Sequence, residues 1–222
     1  MKKLLILLFI IPSIYLAQND DEAPKLKPKI YKWELGFNGG VNLTNISGMD
    51  SLNSLSKSGR LYGITLTYHF NRFFSIKGDF DFENKGWVIE DMNYNINGTD
   101  TSGNITQILN YIDIPAFMHI GFGKRMKFDF NFGPYFAYLL DAKTINSDDQ
   151  EVIVNNTYFS DFNKIDYGFI YGLGLDFVLS KRISLGFDFL VEEGLKEINV
   201  EGLKNRSLDF DFGINFLLGK KK

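Results

Sequence analysis

Two histidines, His69 and His119, and a long series of carboxylates are the side chains of this chain best suited to move protons or hold ions. The carboxylates recur at one parity within each apolar-polar alternating segment. They are Glu34, Asp79, Asp81, Glu83, Asp113 and Asp129, then Asp166, Asp176, Asp188, Asp209 and Asp211. Lys77, Lys85 and Lys127 share their face, as does Lys164. Such a set can line a cation-selective path, or it can pair internally and fill a small interior; the second fits better, because buried charges need partners. His119 and Asp129 flank one short turn, which would bring them close across two neighbouring strands, as a hydrolase would require. No serine-nucleophile motif and no metal-ligand spacing accompanies them, so the residues point to neither an enzyme nor a resident metal or cofactor. Asp148-Asp149-Gln150-Glu151 lacks the alternating ligands and glycine of a calcium loop. The absence of cysteine excludes disulfides, thiolate catalysis and Cys-ligated zinc.

The elements that carry these residues are strands. From Tyr111 to Phe122 the chain alternates strictly, with Ile112, Ile114, Ala116, Met118, Ile120 and Phe122 on one face and Tyr111, Asp113, Pro115, Phe117 and His119 on the other. The run is long for a soluble strand and fits the tilted strands that cross a bilayer. Pro115 cannot donate to a ladder, so a bulge or widened pair is expected there. The same alternation marks seven further strands, at Trp33–Thr44, Leu61–Phe70, Phe74 onward, Lys127–Tyr138, Lys164–Phe177, Ile183–Glu192 and Ser207–Leu218. Past Gly86 the parity slips, because the apolar Trp87 and Ile89 are odd-numbered, and a glycine bulge would explain it. Short links at Asn71–Phe73, Gly123–Arg125 and Ser180–Arg182 alternate with long polar loops at 45–59, 91–104, 141–163 and 193–204. A hairpin within Val152–Tyr158 would raise the count from eight strands to ten.

Three features put the apolar face outside. The apolar faces hold more large side chains than a small barrel interior accepts. Most strand glycines lie on the polar face, where a crowded concave interior needs small residues. No charge interrupts the centre of any apolar face, where one would cost about 2–4 kcal/mol in lipid. The expected fold is therefore all-β: an eight-stranded antiparallel up-and-down transmembrane β-barrel with short periplasmic turns and long extracellular loops. Trp33, Tyr68, Phe70, Phe74 and Phe122 near the short turns, with Tyr62 and Tyr138 at the other end, would form its aromatic girdles.

Residues 1–17 have the basic start and apolar run of a secretory signal peptide, and 18–31 read as a polar periplasmic leader before a barrel over 32–222. Loss of Lys2 and Lys3 takes the 24 basic residues to 22 against 27 acidic ones, a balance that argues against nucleic acid. The expected partners are outer-membrane lipid and an extracellular or periplasmic protein.

The segment Leu109-Asn110-Tyr111-Ile112-Asp113-Ile114-Pro115, followed by Gly133-Pro134-Tyr135, resembles the Bacteroidetes outer-membrane β-barrel family called porin-family or PorT-like, as does the glycine-rich first strand from Gly36 to Asn42. The resemblance spans nearly all of the chain after the signal peptide. It implies an integral outer-membrane barrel of undefined activity. The basic end, Lys220-Lys221-Lys222, departs from the aromatic terminus of many such barrels, so an assembly signal is expected within Asp209–Phe216. The function expected from residues and resemblance together is a barrel with a side-chain-filled lumen, acting through its surface loops; the alternative is a porin for small solutes or cations.

Overall fold

The computed structural model describes residues 32–48, 54–96, 98–154 and 159–218. The signal peptide, the leader up to residue 31, the basic end and part of the hairpin considered within Val152–Tyr158 lie outside the described residues. Eight antiparallel strands pair in chain order: β1 (Trp33–Ser47), β2 (Ser54–His69), β3 (Phe74–Ile96), β4 (Thr99–Gly123), β5 (Met126–Asn146), β6 (Ile165–Val178), β7 (Ile183–Gly194) and β8 (Lys204–Leu218). β8 pairs back onto β1 from Trp33↔Leu218 to Ser47↔Lys204, closing the barrel and removing both sheet edges. The eight-strand count holds among the described residues; Val152 and its neighbours contribute only the isolated bridges Asn95↔Ile153 and Ile145↔Glu151.

Alternation sets the two faces as the sequence requires. Along β1, Phe37 and Val41 are exposed on the outside while Glu34, Asn42 and Thr44 are buried inside. Pro115 faces inward, and the β3–β4 pairing skips it between Gly78↔Ala116 and Asp81↔Asp113 without a change of register. The missing donor is thus absorbed by a widened pair.

Two expectations change. First, β3 keeps its parity through Gly86. Trp87 and Ile89 are buried on the inward side, like Glu83 and Lys85, and the β3–β4 register runs unbroken from Phe82↔Ile112 to Ile89↔Ile105. The register shift lies instead between β2 and β3, across Ser56 to Leu61. Gly86 takes φ +145°, and a Cβ there would stand 1.9 Å from the Gln107 carbonyl oxygen. Second, 91–104 is not a loop. β3 and β4 continue as a hairpin of 23 and 25 residues, interrupted by a shift between Ile89 and Met92. About 9–11 tilted residues suffice to cross a bilayer core, so much of this hairpin projects beyond it. On its β3 arm Met92, Tyr94 and Ile96 alternate with Asp91, Asn93 and Asn95 and pack against the buried apolar cluster, whereas the β4 arm from Thr99 to Asn104 is polar or glycine throughout and shows no alternation. Asn97-Gly98, between the paired Ile96 and Thr99, was the readable signal, since such a dipeptide favours tight two-residue hairpins. β2 and β5 likewise extend into stretches that read as loops.

Candidate functional site: the charged lumen

The interior is layered. At the short-turn end, β1, β2 and β3 bring Glu34, His69 and Ser75 together. His69 Nε2 lies 3.2 Å from Glu34 Oε2, and Nδ1 lies 2.7 Å from the Ser75 hydroxyl. One layer further in, Lys77 donates to Asp188 at 2.7 Å with Asp79 4.0 Å away. Asn131 donates to both Asp129 and Asp188 at 2.9 Å. Its amide oxygen faces His119 Nδ1 at 2.8 Å, and His119 Nδ1 is 3.8 Å from Asp129. The proximity expected across the β4–β5 turn is therefore present, with Asn131 between the partners. The tight approach of Asp129 to Asp188 depends on Gly174: a Cβ there would stand 2.1 and 2.3 Å from their Oδ1 atoms.

At mid-height Asn38 bridges Asp81 at 2.7 Å and Asp211 at 3.3 Å, from β1 to β3 and β8. Above it sits a hub that the reading of the sequence did not single out. The Lys85 ammonium is fully buried and contacts Glu83 at 3.2 Å, Asp113 at 2.9 Å and Glu192. It also stands over the Tyr111 and Tyr135 rings, at 5.7 and 4.8 Å. A buried ammonium is tolerable only with such a shell. Its odd parity, continuous with Lys77, Asp79 and Asp81, places Lys85 on the polar face; its gathering of Glu83, Asp113 and Glu192 was not readable. Asp166 is held by Asn205 at 2.8 Å and by the Tyr135 hydroxyl at 3.3 Å. Asp209 accepts from the Ser207 hydroxyl. Lys127 makes no ion pair among the described residues; its backbone partner in β6 is Asp176.

Toward the long loops the lumen turns apolar. Trp87, Ile89, Ile105, Leu109, Ala137 and Leu139 point inward, and Ile198 and Leu203 from the β7–β8 connection cover them with no exposed surface. Phe159 and Phe162 pack 6.1 and 6.0 Å from the Trp87 ring. Inward apolar residues on an outside-apolar barrel break the binary pattern, so the sequence could not separate them from lipid-facing ones. The lumen cavities are small, at about 20 Å³ and 30 Å³, room for about one or two waters each. Outside, Trp33, Tyr68, Phe70 and Phe74 form a chain of ring contacts at the short-turn end, joined by Phe73–Phe122; Tyr62 and Tyr138 stand exposed toward the other end.

A closed up-and-down barrel with an apolar exterior, a packed polar interior, short turns at one end and long loops at the other is a transmembrane barrel of the outer-membrane class. Residues 16–199 match the family described as outer membrane protein beta-barrel domain, and the chain belongs to that family. Its place is the outer membrane. Among solved structures it is similar to Neisserial surface protein A, with a TM-score of 0.52 at 11% identity over 84% of this chain and 97% of that one. The attachment invasion locus protein Ail of Yersinia pestis aligns at TM-score 0.45 and 14% identity, over 83% of this chain and 99% of Ail. OprG of Pseudomonas aeruginosa aligns at TM-score 0.44 and 12% identity, over 85% and 98%. No curated protein matches the chain in sequence.

Proposed function

We propose that this barrel acts through its extracellular loops, as an interaction or envelope-structural protein, and not as an open pore or an enzyme. The observation that carries the reading is the doubly closed lumen: side chains paired across its width leave cavities of about 20 and 30 Å³, and an apolar plug lies beneath the loops. The β3–β4 hairpin supports it, because strands far longer than a bilayer needs present surface to the outside. Its partner is then a protein at the cell surface or in the periplasm, with lipid around the barrel and no nucleic acid. Export through a cleaved amino-terminal signal peptide belongs to the same reading, as does membership of the Bacteroidetes PorT-like group, supported by the Tyr111–Pro115 motif.

A passive channel for small cations is the second reading, favoured by the excess of lumen carboxylates over lysines. Planar bilayers separate the two. The purified barrel is expected to show no steady conductance. Reproducible open-channel steps with cation selectivity would refute the closed-lumen reading and favour the channel.

A further inference from the structure

We infer that His119, Asp129 and Asp176 form a site for a divalent transition metal at the periplasmic end of the lumen. One ring nitrogen and one carboxylate oxygen from each aspartate lie within 4.8 Å of one another, a spread that a single ion can span. The donors come from three positions on β4, β5 and β6, so barrel closure, and no local motif, assembles them. Mixed imidazole and carboxylate donors suit zinc-like ions better than calcium or magnesium, which take oxygen alone.

Two further observations point to an ion. The first is the state of His119. Asn131 gives both amide hydrogens, to Asp129 and Asp188, so its oxygen must accept from His119 Nδ1–H. That leaves the Nε2 lone pair free, and holds the ring by the kind of outer hydrogen bond that orients metal-binding histidines. Nε2 lies over the bare face of Gly121, where a Cβ would stand 3.5 Å from it and 3.8 Å from Asp129 Cβ. The second is Asp176, which makes no hydrogen bond or ion pair among the described residues although it lines the 30 Å³ cavity beside His119. Its positive neighbours are Lys127, its backbone partner across β5 and β6, and Lys77, which Asp188 holds at 2.7 Å; neither makes an ion pair with it. His119 is half-buried, which leaves an ion a path from the short-turn mouth.

The test uses the full chain purified from outer membranes without a tag, stripped of metal and titrated with Zn²⁺ by calorimetry and with Co²⁺ by visible absorption. One saturable equivalent is expected. Asp176→Asn and His119→Gln should each weaken it at least tenfold and abolish the Co²⁺ band, while His69→Gln leaves both unchanged. Heat-modifiable gel mobility reports folding. If His119→Gln does not fold, Asp176→Asn decides, since Asp176 holds no structural bond. The absence of saturable binding, binding that persists in Asp176→Asn, or a loss that follows His69→Gln instead would overturn the assignment.

Discussion

Lys85→Met tests the idea that one ammonium organises the upper lumen. Lys85 has no exposed surface and meets Glu83, Asp113 and Glu192 at once. Removing one member of a buried ion pair costs about 3–5 kcal/mol, chiefly because the other charge is left unpaired. Here three carboxylates lose their shared partner, so a loss of roughly 4–5 kcal/mol is expected, at the top of that range. At about 1.4 kcal/mol per factor of ten, the folded-to-unfolded ratio should fall on the order of a thousandfold. Methionine preserves most of the stem volume, which confines the effect to charge. Urea titration in lipid vesicles reads it, with the fluorescence of the buried Trp87, two residues along β3, as one local reporter. Adding Glu83→Gln, Asp113→Asn and Glu192→Gln to Lys85→Met should restore most of the loss, because the shell is then neutral. A single variant within about 1 kcal/mol of the parent would refute the hub, as would a quadruple variant no better than the single one.

The outward Phe212, packed 4.9 Å from Phe187, should not tolerate Arg: Phe212→Arg is expected to cost about 2–4 kcal/mol, and Asp211→Asn on the inner face clearly less, by folding yield into vesicles. Gly172→Ala should destabilise by about 1–3 kcal/mol, because its Cβ would stand 2.0 Å from the Phe189 carbonyl oxygen, while Gly78→Ala, with nothing nearer than 3.8 Å, should be tolerated in the same urea titration. A Glu-specific protease added to intact cells should cut at Glu151 or in the β7–β8 connection, and a trypsin-like protease should spare Arg72 and Arg182 until the outer membrane is opened; the reverse order would invert the topology.

The sequence alone determined which face meets lipid, the three short turns and a count of eight strands with ten as the alternative; it took the β3–β4 hairpin for a long loop. Period-2 alternation, with charge excluded from one parity, is a local property that lipid imposes on every strand separately. Most of the inward charges were legible for the same reason: parity places Lys77, Asp79, Asp113 and Asp129 inside whatever their neighbours are. Pairing was not legible. Lys77 reaches Asp188, 111 positions away, and Lys85 reaches Glu192, 107 away, because closure of β8 onto β1 fixes which strands face each other across the bore. The apolar plug escaped too. Trp87 and Ile89 carry the same chemistry as lipid-facing residues, and only the continuous β3–β4 register shows that they point inward. The Lys85 hub and the grouping of His119 with Asp176 likewise exist only in three dimensions, where side chains from separate strands share one small, water-poor interior.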